Sequence, residues 1–114
     1  MPHIIIEYSQ NSLQSVDEKG LLESAFEAVK SAGLFTLDNI KVRLHKVEHY
    51  QLGLPESEFI HVMCRIHVGK TSEQKLQLTQ TILQAIQVLV QAPCVMTAEV
   101  VEMNRDSYAK VVLS

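Results

Sequence analysis

The side chains able to do chemistry are few and widely spaced in this chain of 114 residues. Pro2 follows Met1 directly. A proline stripped of its preceding methionine carries a secondary amine, and an α-amino group ordinarily titrates at about 7.7–8.0. Burial or nearby cations lower that value and leave a neutral amine, competent first as general base and then as general acid. Arg43 and His45 alternate with apolar residues, and Lys70 follows Gly69 just ahead of a helix start, where an anion is favoured. The five histidines invite a metal reading. His45 with His49, and His61 with His67, fall on common strand faces, yet neither spacing is that of a ligand pair and no acidic cluster joins them, so no metal is expected. Each residue has a plainer reading beside the chemical one: Pro2 as a strand-starting proline, Arg43 as half of a surface salt bridge, Lys70 as a loop lysine, and the histidines as polar surface or interface contacts. Tyr50 either lines a pocket at a strand end or caps the core. Spacing alone leaves these alternatives open.

The elements that must position these residues form two similar halves. Pro2–Tyr8 reads as an Ile-rich strand, and Ser9–Ser12 as a break. Ser15-Val16-Asp17-Glu18 has the capping-box form and opens a helix through Leu22, Ala25, Phe26 and Val29, with Gly33 at its left-handed end. Gly20 in the first turns disfavours that helix slightly. Ile40, Val42 and Leu44 alternate with Lys41, Arg43 and His45 as a half-buried strand. After a loop at 53–57 the order repeats. A strand runs from Phe59 to Val68, and a second capping box at Thr71-Ser72-Glu73-Gln74 opens a helix that continues through Leu89 and stops at Pro93. A strand from Thr97 to Met103 closes the half, and a tail adds a short strand or arm. The pattern predicts an α+β fold: two β-α-β units, about residues 1–52 and 58–104, in one domain spanning 1–114. They form one four-stranded mixed sheet with both helices on one face. Right-handed crossovers make the strands within each unit parallel. The second sheet face carries Arg43, His45, His61, Met63, Arg65 and His67, bulky and mixed, and is either solvated or packed against other subunits.

Composition narrows the function classes. An apolar share of 46% suits an ordinary globular core, and a net charge of −3 excludes the basic footprint of a nucleic-acid binder. Trp is absent and aromatics are few, which argues against base stacking. The start lacks a basic n-region, and Gln residues interrupt the stretch from Leu76 to Val90, so neither a signal peptide nor a membrane span is expected. Cys64 and Cys94 read as reduced core-type thiols. A cytoplasmic location follows as the expectation.

Specific motifs add to this frame. Met-Pro-His-Ile-Ile-Ile-Glu at the start, Arg43-x-His45, Phe59-x-His61-x-Met63 and the Gly69-Lys70-Thr71 corner resemble the 5-carboxymethyl-2-hydroxymuconate isomerases. The second half, from Ile66-His67-Val68-Gly69-Lys70 to Lys75 and again at Ala92-Pro93 and Glu102-Met103, is similar to 4-oxalocrotonate tautomerase. Both groups lie in the tautomerase superfamily, and the resemblance covers the chain apart from its tail. It implies a cofactor-independent isomerase of aromatic-compound catabolism, assembled as a homotrimer with active sites near subunit boundaries. The implied reaction moves a proton on an unsaturated 2-hydroxy or 2-keto acid such as 5-carboxymethyl-2-hydroxymuconate. Pro2 is then the catalytic general base and acid, Arg43 and Lys70 bind substrate carboxylate or dienolate oxygen, and His45 orients the substrate. No metal and no organic cofactor are implied. Lys70 stands where the family pattern has Arg, which replaces a planar two-pronged donor by a point charge. Phe59 is internal, so only one catalytic amine per chain is implied. Two other readings stand beside this one: a promiscuous phenylpyruvate-type keto–enol tautomerase, and a non-catalytic trimeric domain that binds a small ligand.

Overall fold

The strands alternate apolar and polar residues, and this alternation divides the molecule into two layers. In a computed structural model that describes residues 1–14 and 17–114, four strands and two helices follow in the order β1 (His3–Ser9), α1 (Glu18–Ser31), β2 (Lys41–Val47), β3 (Glu58–His67), α2 (Ser72–Ile86) and β4 (Cys94–Met103). The sheet order is β2-β1-β3-β4. β1 runs parallel to β2 and β3 parallel to β4, while β1 and β3 are antiparallel at the centre. The fold is thus α+β, a mixed sheet of two β-α-β units, as the sequence pattern predicts.

Ile4, Ile6 and Tyr8 of β1 and Ile60, Val62 and Cys64 of β3 form the floor of the core. Leu21, Ala25 and Val29 of α1 and Leu78, Ile82 and Ile86 of α2 cover it. Each fully buried aliphatic side chain contributes roughly 1.5–3 kcal/mol on leaving water. This layer dominates the stability and fixes register, because a one-residue slip would turn the apolar row to the open face. The open face carries His3 and Ile5 of β1, Lys41, Arg43 and His45 of β2, and His61, Met63, Arg65 and His67 of β3.

Local signals set the element ends. Thr71 Oγ1 accepts from the Gln74 N–H at 3.1 Å and Gln74 Oε1 accepts from the Thr71 N–H at 2.9 Å, a complete capping box. For α1, Asp17 is the cap, its Oδ1 accepting from the Gly20 N–H at 2.8 Å. A Cβ at Gly20 would collide with that carboxylate, which accounts for the glycine in the first turn. The box expected at Ser15–Glu18 falls in part on residues outside those described. Gly33, at φ 71°, ends α1 in the left-handed region.

Several boundaries differ from the sequence expectation. α2 gives way at Gln87–Leu89 to a short 3-10 turn, and β4 begins at Cys94, three residues before Thr97. β2 stops at Val47, so His49 lies beyond the strand and shares no strand face with His45. The tail forms no strand; Arg105–Ser107 make one 3-10 turn and the chain continues as an irregular arm. Cys64 lies on the core face and Cys94 pairs with Glu58. Those partners sit six residues apart along β3, about 20 Å at strand rise, far beyond disulfide reach. Burial pushes the Cys64 thiol up to about 12 and raises that of Cys94, with Glu99 and Glu58 adding to the respective shifts. No helix among the described residues is long and apolar enough to cross a membrane.

Candidate active site

At one end of the sheet the starts of β1 and β2 meet the end of β3. Parallel pairing of β1 with β2 and antiparallel pairing with β3 make this juxtaposition unavoidable: His3 stands between Lys41 and Arg65. Pro2 precedes β1 with its ring fully buried, and its carbonyl accepts from the Lys41 N–H at 3.1 Å. The terminal amine, borne here by Met1, donates to the Asn39 carbonyl at 3.1 Å. Burial first, then Lys41 and Lys110, hold its pKa below the ordinary value.

A cleft of about 190 Å³ opens beside this amine, walled by Met1, Phe35, Asn39, His67, Lys70 and Arg105 among others. Lys70 leans over the Phe35 ring, 5.7 Å from its centroid. Gly69, at φ 124°, turns the chain from β3 toward α2 and brings Lys70 to the cleft. Among the described residues Arg43 forms no salt bridge with a carboxylate. Its Nη1 lies 3.2 Å from His3 Nδ1 instead, and His3 Nε2 lies 2.9 Å from the Tyr108 hydroxyl. Burial, Arg43, Lys41, the terminal amine and Arg65 all lower the His3 pKa, so this ring is neutral at neutral pH.

The tail completes the end. After β4 it runs back across the sheet, Arg105 donating to the Val68 carbonyl at 3.3 Å and Lys110 to Asn39 Oδ1 at 3.1 Å. Tyr108 packs edge-on against His67, with centroids 5.0 Å apart. Six of the ten Lys and Arg residues gather here: Lys41, Arg43, Arg65, Lys70, Arg105 and Lys110. Among the described residues none of the six pairs with a carboxylate. A chain of net charge −3 thus concentrates unneutralised positive charge around its terminal amine. Such a field suits an anion carrying more than one negative charge, and it disfavours the protonated amine.

Of the four residues singled out in the sequence, the structure brings Pro2, Lys70 and, through His3, Arg43 to this end. His45 is not among them within one chain. It pairs with Glu7, four residues along β2 from Lys41, about 13 Å at strand rise. Tyr50 also belongs to the far end, its hydroxyl donating to Glu58 Oε1 at 3.2 Å and its ring set edge-on to Phe59. His3, Asn39 and Tyr108 were not singled out. Only His3 left a signal, through its place on the same face of β1 as the Arg43 face of β2. A larger cavity of about 350 Å³ opens elsewhere, around Tyr8, Gln10 and Lys46. Its titratable pair, Tyr8 and Glu18, is hydrogen-bonded to itself, and Lys46 is its one cation among the described residues. Among the described residues no three His, Cys, Asp or Glu side chains converge as a metal cage.

Comparison with known proteins gives the chain a family. The family model described as 5-carboxymethyl-2-hydroxymuconate isomerase matches residues 2–110, so the match takes in the amine end, both β-α-β units and most of the tail. The chain belongs to that family. It is therefore an isomerase of the tautomerase superfamily. The 5-carboxymethyl-2-hydroxymuconate Delta-isomerase of Escherichia coli is 27% identical over 88 residues, 75% of this chain and 70% of that one. Among solved structures, a 5-carboxymethyl-2-hydroxymuconate delta-isomerase superposes with a TM-score of 0.83 at 19% identity, covering 98% of this chain and 89% of its own. A fused 4-OT protein described as a symmetric trimer superposes at 0.76 with 15% identity, over 93% and 91% of the two chains. These two likenesses are of fold.

Proposed function

We propose that this family member moves a proton between carbons of an unsaturated 2-hydroxy or 2-keto acid bearing more than one carboxylate, with the amine of Pro2 as the proton carrier. The observation that carries the reading is the terminal amine set among six cations that no described carboxylate neutralises. Removal of Met1 frees the Pro2 nitrogen and clears one wall of the cleft. In the neutral form this nitrogen takes a proton from the dienol or its carbon acid. The resulting ammonium returns it to the other end of the conjugated system, so no second acid is needed. Charge accumulates on the 2-oxygen during transfer, and Arg43 donates to that oxygen or to the adjacent carboxylate. Lys70, on the α2 side of the cleft, holds the second carboxylate as a point charge.

The substrate class of the Escherichia coli relative, a 5-carboxymethyl-2-hydroxymuconate, fits this charge pattern and is the compound to test first. We further propose a homotrimer, as in the fused 4-OT protein, in which the open sheet face packs against neighbouring copies. His45 then serves a cleft only where a neighbouring copy brings one to its end of the sheet. The deciding experiment pairs intact mass with turnover. Protein lacking Met1 isomerises the substrate and protein retaining it does not, because an amide nitrogen has no basic lone pair. Full activity in a preparation shown by mass to retain Met1 sinks the role of Pro2. Equal turnover of phenylpyruvate in place of the muconate would favour the keto–enol tautomerase alternative.

A further inference from the structure

Hydrogen-bond direction at the amine end is fixed by chemistry. A guanidinium has donors only, so Arg43 Nη1 donates and His3 Nδ1 accepts across their 3.2 Å contact. His3 is neutral, which puts its single ring proton on Nε2. That N–H then donates to the Tyr108 oxygen at 2.9 Å. The phenolic hydrogen is left over, and among the described residues no acceptor receives it. Three donors thus point the same way, from a fixed cation through a neutral ring to a phenol. Bonds aligned in this manner polarise one another and strengthen the last donor. The ring that carries it is seated edge-on against His67, which walls the cleft beside the amine.

We propose that the Tyr108 hydroxyl is a substrate-directed donor, taking an anionic oxygen of the unsaturated acid, and that His3 is the positioning residue that holds it in that sense. The inference rests on the reading of this end as the substrate site, and it assigns the irregular tail a direct part in binding. The ligand chemistry is a carboxylate or dienolate oxygen, since the donor sits at the sheet end where six cations gather without a carboxylate partner among the described residues.

The test uses processed full-length protein and cis,cis-muconate, a dicarboxylate with no enol to isomerise. Nitrogen-15 shifts of His3 should report an unprotonated Nδ1 and a protonated Nε2. Muconate should move the Tyr108 Cζ resonance and leave those of Tyr8 and Tyr50 in place. Y108F keeps the ring against His67 and loses only the hydroxyl; it should bind muconate about tenfold or more weakly, the usual scale for a hydrogen bond to a charged group. A proton on Nδ1, a stationary Tyr108 Cζ, equal affinity of Y108F or no binding by the wild type would each overturn the proposal. The Cζ measurement is made on the wild type and needs no folded variant. Muconate bound through Tyr108 without turnover of any dienol leaves this inference standing and removes the amine's role. Turnover that depends on Met1 removal but ignores Tyr108 does the reverse.

Discussion

At the scale of single residues, the proposed mechanism gives the proton to the amine and the developing charge to Arg43. In the chain that bears Met1, burial first and then Lys41 and Lys110 lower the terminal amine's pKa, and an amine freed on Pro2 at the same sheet end should meet the same cations. Activity should therefore rise with pH through one ionisation lying below the ordinary α-amino value of about 7.7–8.0. The linkage runs the same way. The folded Met1 amine sheds its proton more readily than the unfolded one, so in the unprocessed chain its contribution to stability is present above the unfolded pKa and is lost as pH drops through the folded one. A pH–rate profile of processed protein checks the first statement; a rate independent of pH from 5 to 9 would contradict it. Pro2→Ala keeps an amine after Met1 removal but makes it primary and less rigid, so activity should fall without vanishing. Arg43→Ala removes the only described partner of His3 Nδ1 and, in the proposed mechanism, a charged donor to the developing oxyanion. Its kcat should fall on the order of 10²–10³, with an unchanged far-ultraviolet spectrum, because the Arg43 side chain lies exposed on the open face. Unaltered kinetics would return Arg43 to a purely structural place.

At the scale of elements, what could be read in the sequence was whatever repeats or has a local rule. The alternation of Ile60, Val62, Cys64 and Ile66 with His61, Met63, Arg65 and His67 is a strand by period alone, and its two faces lie as that period requires. The capping box at Thr71 and Gln74 was legible because it needs only four consecutive residues. The tail was not legible. Tyr108, Arg105 and Lys110 dock through three separate polar contacts with partners far away in sequence, and no period announces such contacts. Hence the motifs pointed to Pro2, Arg43 and Lys70 but not to His3 and Tyr108, whose pairing spans 105 positions. The local rules carry their own prediction. Thr71→Ala should cost about 1 kcal/mol, and combining it with Gln74→Ala should add less than the two single losses, because the two bonds form one reciprocal unit. Chemical denaturation measures this; strict additivity would deny the coupling. Gly69→Ala strains the backbone at φ 124° and should displace Lys70, raising KM along with lowering stability.

At the scale of the whole molecule, one sheet face is covered and the other is not. α1 and α2 bury the central strands of one side and leave Val42, Leu44, Met96 and Val100 of the outer strands partly covered, while Ile5, Met63 and Val101 lie half-buried on the other side among histidines and cations. A lone chain would gain nothing from setting Ile5 and Met63 opposite each other at the middle of its open face. Three copies with these faces turned inward would bury them and keep the helices outside. The protein should sediment at three times its 12.8 kDa chain mass across a wide concentration range. Ile5→Glu tests the cause. Its side chain lies on the face away from the helical core and opposite Arg43, so the monomer should keep its secondary structure while a carboxylate carried into a packed apolar seam opposes assembly. Sedimentation should then show single chains, and turnover should fall in parallel if the cleft needs a neighbour. A concentration-independent monomer in the unmodified protein would refute the trimer. An Ile5→Glu monomer with full activity would confine the site to one chain and leave His45 without a part in it.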